Sequence, residues 1–72
     1  MSRTVTTPIA GQLLRYLVKP GDAVTAETEI AIVESMKMHI PVAAETTGRV
    51  ARLLVEDAAT VAEGQALLAL EP

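Results

Sequence analysis

Shifted against itself by 37 positions, this 72-residue chain aligns without a gap: GQLLRYLVKPGDAVTAETEIAIVE at 11–34 lies on GRVARLLVEDAATVAEGQALLALE at 48–71. Gly11 falls on Gly48, Arg15 on Arg52, Leu17 on Leu54, Val18 on Val55, Val24 on Val61 and Glu34 on Glu71. Leu13/Val50, Ile30/Leu67 and Val33/Leu70 keep their apolar character. This is the pattern of one supersecondary unit used twice, so whatever one copy cannot be, the other cannot be either.

That constraint decides between helix and strand. Val50, Leu53, Leu54 and the Ala-rich 58–69 fit a helical period when read alone, but their partners do not. Val18, Val24, Ile30, Ile32 and Val33 are β-branched, and Pro20-Gly21 suits the centre of a type II turn. Each half therefore reads as a strand opening near its glycine, a turn, a short strand at Val24 or Val61, and a strand at 29–34 or 66–71. Segments 3–7 and 39–44 add one strand each, and eight short strands predict two packed sheets or a flattened barrel. Leu13 and Tyr16 cannot both face inward on a regular strand, so a bulge is expected within 13–18 and again at 50–53. The second half has Asp57-Ala58-Ala59 where the first has Pro20-Gly21-Asp22, which predicts a turn there that needs no positive φ.

Half the residues are apolar, but they are aliphatic, and Tyr16 is the sole aromatic residue. Many modest contacts must therefore build a small core in one domain, residues 1–72. The absence of cysteine excludes disulfides and thiolate metal sites and suits a reducing cytoplasm. No apolar run approaches the roughly 20 residues that span a bilayer, so a cytoplasmic protein without a membrane role is expected. Six basic residues scattered among nine acidic ones, net −3, argue against a nucleic-acid grip. With one histidine and no cysteine, neither a His-centred triad nor a multi-histidine metal site can be assembled, so no enzyme chemistry is expected of the chain itself.

A two-fold relation between the halves also makes the termini symmetry mates of ESMKM, residues 35–38 in particular. The expected result is Lys37 at one pole and both chain ends together at the other. Strands ending at Glu34 and restarting near His39 must be joined by a hairpin around Met36 and Lys37, where Asn-Gly or Asp-Gly would be favoured. Forcing non-glycine residues to positive φ costs roughly 1–2 kcal/mol each, and such local conflict is where function is sought. The residues alone leave two readings open. The commoner is an ordinary surface lysine with Met36 and Met38 filling a corner of the core; the other is a modification or docking site whose methionines are an adaptable apolar handle.

ESMKM, together with VKPGDAV before it, IPVAAETTGRV after it and the closing VAEGQALLALE, resembles the biotinyl/lipoyl attachment domain family. The free-standing biotin/lipoyl attachment proteins and one-domain biotin carboxyl carriers are the nearest in kind. The resemblance implies an all-β fold, a flattened eight-stranded barrel or barrel-sandwich hybrid of two quasi-two-fold related four-strand halves. It implies that Lys37 is covalently biotinylated, with Glu34, Ser35, Met36, Met38 and His39 as recognition flanks. His39 stands where the family often has Glu, and Ala58 where Gly is common. A lone hairpin histidine is most often incidental, although it could tune charge near neutral pH. The 18–24 segment has no room for the protruding thumb of some carriers.

A lysine ammonium is a poor nucleophile, so an enzyme must make the bond. By resemblance that enzyme is a biotin protein ligase, which activates biotin as its adenylate. The loaded chain would then carry a carboxyl group from a biotin carboxylase to a carboxyltransferase, itself remaining non-catalytic and, in isolation, a monomer. The alternative is a lipoyl carrier on the same fold, or a protein that accepts biotin and lipoate alike. Lipoyl domains usually have Asp-Lys-Ala around the lysine, so Met36 and Met38 favour biotin.

Overall fold

The β-branched runs on either side of each turn form strands in the computed structural model, which describes residues 3–72. The strands are β1 (Arg3–Thr6), β2 (Gly11–Tyr16), β3 (Ala23–Val24), β4 (Glu29–Ser35), β5 (Met38–Ala43), β6 (Gly48–Leu53), β7 (Thr60–Val61) and β8 (Ala66–Leu70). They make two antiparallel four-stranded sheets, ordered β1-β8-β6-β3 and β5-β4-β2-β7. Adding 37 to β2 and β3 reproduces β6 and β7 residue for residue, and the same operation exchanges the two sheets. Each sheet thus takes two strands from each half, so neither half closes a core alone. These are the two packed sheets expected from the repeat, and they fit the barrel-sandwich hybrid that the resemblance implies.

Register repeats as faithfully as strand order. Leu13 opposes Val33 as Val50 opposes Leu70, and Arg15 opposes Ile32 as Arg52 opposes Ala69. The expected bulges are present, with register shifting between Leu13 and Arg15 and between Val50 and Arg52. One extra residue at each site returns Leu13 and Tyr16 to the same side of the strand. The core is the aliphatic set this alternation turns inward, including Leu13, Val24, Ile30, Val33 and Val42 with Val50, Val61, Leu67 and Leu70, each almost fully buried. Thr7 is the only buried polar residue among those described, and its hydroxyl donates to the Ile9 carbonyl at 2.7 Å and accepts from the Ile9 N–H at 3.2 Å.

The second turn departs from expectation. Ala58 has φ 72°, a left-handed conformation like that of its counterpart Gly21 at 97°. The reason lies across the molecule. The Gly21 N–H donates to the Val50 carbonyl at 2.8 Å and the Val50 N–H to the Asp22 carbonyl at 2.9 Å; the Ala58 N–H donates to the Leu13 carbonyl at 2.7 Å and the Leu13 N–H to the Ala59 carbonyl at 2.9 Å. Both turns must present the same donor and acceptor to the opposite half, and that geometry overrides the residue's own preference. The freed carbonyls are held alike: Arg49 donates to the Gly21 carbonyl at 2.7 Å, and its counterpart Gln12 to the Ala58 carbonyl at 2.9 Å.

Tyr16 joins the sheets at the waist. Its hydroxyl donates to the Leu67 carbonyl at 2.6 Å and accepts from the Val55 N–H at 3.2 Å. From this waist β4 runs to its hairpin and β8 to Leu70, which lies opposite Arg3. The pair Arg3–Leu70 is the counterpart, 37 positions on, of the Val33–Ile40 pair beneath the 35–38 hairpin, so the strand ends and the hairpin are two-fold mates.

Ala58→Gly should stabilise the protein by about 1 kcal/mol by relieving the left-handed alanine, and Gly21→Ala should destabilise it comparably, both read from urea denaturation. Tyr16→Phe should cost about 1–2 kcal/mol, because the Val55 N–H loses its acceptor. Burial, reinforced by the charge of Asp57, raises the Tyr16 pKa above its ordinary 10.0. In the window just above pH 10 the folded state keeps a proton that the unfolded chain has lost, so native stability falls as pH rises. The Phe variant should lack that alkaline slope in stability measured against pH.

Candidate functional site

Ser35 and Met38 face each other as the last pair of the β4–β5 ladder, which leaves Met36 and Lys37 as a two-residue loop. Both sit at positive φ, 52° and 63°. Positive φ at both central residues is the mark of a type I′ turn, whose twist matches that of the flanking strands. The conflict anticipated from the sequence is therefore real: two non-glycine residues hold a conformation suited to Asn-Gly. Lys37 is exposed at the tip. Met36 is 88% exposed and Met38 59%, so neither fills a corner of the core.

The base of this hairpin is fixed from the side. Gly11, at the start of β2, lies so close to β4 that a Cβ there would fall on the Glu34 carbonyl oxygen. Only glycine lets the two backbones approach this closely. The sequence marks the position by repeating the glycine at 48, but its reason appears only once β2 and β4 are seen side by side. At Gly48 the nearest atom to such a Cβ belongs instead to the flexible side chain of Arg3.

Beyond the tip, Gln12, Glu34 and His39 form one row across the sheet. Pairs alternate along an antiparallel ladder, and the pair next to the hydrogen-bonded Ser35/Met38 is the kind whose side chains approach more closely. His39 Nε2 accordingly lies 4.0 Å from Glu34 Oε2, with both side chains partly in solvent. At that separation and exposure the pair contributes little to stability. The structure thus brings Glu34, Ser35, Met36, Lys37, Met38 and His39 together at one pole. Among the described residues no group of three or more His, Asp or Glu could hold a metal ion, and no helix is long and apolar enough to cross a membrane. What the arrangement offers chemically is one primary amine on a well-anchored turn.

The family profile Biotin_lipoyl, described as biotin-requiring enzyme, matches residues 3–70. The biotin/lipoyl attachment protein of Bacillus subtilis is 42% identical over 67 residues, which cover 93% of this chain and 92% of that protein. The mitochondrial propionyl-CoA carboxylase alpha chain of Homo sapiens is 39% identical over 70 residues, 97% of this chain but 10% of that much longer protein. Among solved structures, the lipoyl domain of the 2-oxoglutarate dehydrogenase complex from Azotobacter vinelandii superposes with a TM-score of 0.69 at 30% identity, covering 88% of this chain and 80% of that one.

Replacing Met36-Lys37 with Asn-Gly should stabilise the protein by about 2 kcal/mol, since both left-handed positions are relieved. Thermal and urea unfolding of the double variant would measure it; no gain would mean that the loop is unstrained.

Proposed function

The chain belongs to the biotin/lipoyl attachment domain family and is a non-catalytic carrier module, and from that premise we propose that residues 1–72 act as one biotin carboxyl carrier domain loaded at Lys37. The observation that carries this reading is the position of Lys37: an exposed amine at the apex of a type I′ hairpin, between two exposed methionines. A covalent tether needs an amine that an enzyme can reach and a backbone that will not fold it away. Both conditions fit.

In this reading Lys37 Nζ, once deprotonated, attacks an activated carboxyl carbon presented by a biotin protein ligase. The N–C bond forms, the activating group leaves with the electron pair of the broken C–O bond, and the nitrogen sheds its remaining surplus proton. The amide is neutral, so the formal net charge falls by one, from −3 to −4. Attached biotin supplies the carboxyl-carrying chemistry. The protein supplies position: the Gly11–Glu34 approach and the paired strands hold the tether's root still, and Glu34, Ser35, Met36, Met38 and His39 give a ligase something to grip. Biotin carboxylase and carboxyltransferase are the partners this role requires, and the propionyl-CoA carboxylase relative supports them. A tethered cofactor is presented to each at high effective concentration.

Lipoate is the second reading, favoured by the biotin/lipoyl name of the Bacillus relative and by the Azotobacter lipoyl domain. Met36 and Met38 weigh toward biotin. Intact-mass analysis of protein from its native cells separates the two, with a biotinyl increment on Lys37 expected; a lipoyl increment alone would reverse the choice. Lys37→Arg should abolish loading in streptavidin blots and leave the unfolding midpoint within about 1 °C, as for other exposed substitutions. Undiminished labelling would refute Lys37 as the site.

A further inference from the structure

Oxidisable sulfur is confined in this chain to thioethers. There is no cysteine, and of the three methionines two, Met36 and Met38, stand on either side of Lys37. Met36, the first residue of the type I′ loop, is the more exposed of the pair. The openness of Met38 has a structural reason. It shares the inward parity of β5 with Ile40 and Val42, and burial falls along that side of the strand from Val42, buried, through Ile40, half-buried, to Met38, exposed. The core ends before the last inward position is reached, so the thioether of Met38 stands open at the rim of the sandwich. Neither methionine belongs to the core, and neither is needed to close the turn, which Asn-Gly would close better. Of the other side chains that oxidants attack, Tyr16 is half-buried with its hydroxyl hydrogen-bonded, and there is no tryptophan.

We infer that Met36 and Met38 are a reversible oxidation site whose state governs the loading of Lys37; the inference rests on the proposed loading there. A lysine Nζ stands about 6 Å from its own Cα, and adjacent Cα atoms are about 3.8 Å apart. An enzyme that brings an activated carboxyl carbon to Lys37 Nζ therefore closes over both neighbouring side chains. As thioethers these are flexible and apolar and adapt to such a surface. The oxidant is a peroxide. A methionine Sδ lone pair attacks one peroxide oxygen, the S–O bond forms as the O–O bond breaks, and the departing hydroxide takes the proton from the new S–OH group and becomes water. Sulfur loses two electrons and the peroxide gains them. The sulfoxide is polar and chiral, with an oxygen that accepts hydrogen bonds. Pressed against an apolar surface, that oxygen loses its water without gaining a partner, so the oxidised hairpin binds its ligase poorly while Lys37 itself is chemically unchanged. Susceptibility follows exposure, which makes Met36 the faster site. A thiol-dependent methionine sulfoxide reductase reverses the change: two thiols supply the electrons and become a disulfide, and the oxygen departs as water. With no thiol of its own, the chain carries its oxidant-sensitive groups beside the one amine whose modification makes it a carrier.

The test treats the unloaded wild-type protein with hydrogen peroxide, removes the excess with catalase and maps the oxidised residues by peptide mass spectrometry. Met36 and Met38 should each gain one oxygen, Met36 first, with the unfolding midpoint within about 2 °C of the untreated protein, as for other changes at exposed positions. With biotin, ATP and a biotin protein ligase, KM for the oxidised protein should rise roughly tenfold while kcat stays within about twofold, the pattern of lost binding rather than lost chemistry. Methionine sulfoxide reductases of both epimer specificities, with dithiothreitol, should remove both oxygens and return KM to its starting value. A variant carrying Met36→Leu and Met38→Leu has its own starting KM, and peroxide should leave that value where it was. Methionines that resist peroxide, an unchanged KM after their oxidation, removal of both oxygens that restores nothing, or an equal loss in the leucine variant would each overturn the oxidation site and leave the carrier reading standing. Failure of the untreated wild type to take biotin would overturn both.

Discussion

Leu13 exchanges two backbone hydrogen bonds with the turn at Ala58 and Ala59, and Val50 exchanges the same two with the turn at Gly21 and Asp22. These four bonds clasp each half of the chain to the other, and much of the architecture follows from them. Leu13 and Val50 are also fully buried, and the bulges begin at both. The clasp therefore sits where the strands bend to wrap one sheet over the other. A turn that failed to offer its N–H and carbonyl would leave a buried strand with unpaired polar groups, which costs more than a strained φ. That inequality is why an alanine tolerates the left-handed region at 58, and why Gln12 and Arg49, otherwise unlike, do the same work on the two turn carbonyls.

The hairpin depends on the clasp through a short chain of contacts. Gly11 and Gln12 immediately precede Leu13 on β2; both pair with β7, and Gln12 pairs as well with Glu34 near the end of β4. Fixing Leu13 therefore fixes the strand against which the base of the Met36-Lys37 turn rests. Because Gly11 leaves no gap beside Glu34, β4 has little room to sway. Local strain at the tip is held in place by a base that the whole fold braces, which is how an unfavourable turn persists.

Much of this was legible in the sequence because the repeat supplied two readings of every position. The strand count, the bulges at Leu13 and Val50, the exposed Met-Lys turn and the meeting of Arg3 with Leu70 all followed from alternation, β-branching and the offset of 37. Ala58 did not, since local residue preference was read there without the reciprocal hydrogen bonds that set its backbone. Gly11 was visible as a recurring glycine, yet its purpose depends on which strand lies beside it.

A duplicated scaffold of this kind separates what folding needs from what it does not. Positions inside the sandwich answer to packing, and there the halves agree in character, as Leu13 with Val50 and Val33 with Leu70. The poles share a backbone plan but not a task. At one, Met36 and Lys37 close a turn that a more stable pair could close better; at the other, Arg3 and Leu70 bring two strand ends together. Chain that continued past either strand end would depart from the two-fold mate of the hairpin and not from the hairpin itself. Attachment to a larger assembly and presentation of a cofactor therefore need not compete for the same surface. The two-fold makes that separation geometric, since the operation that puts a hairpin at one end puts the strand termini at the other.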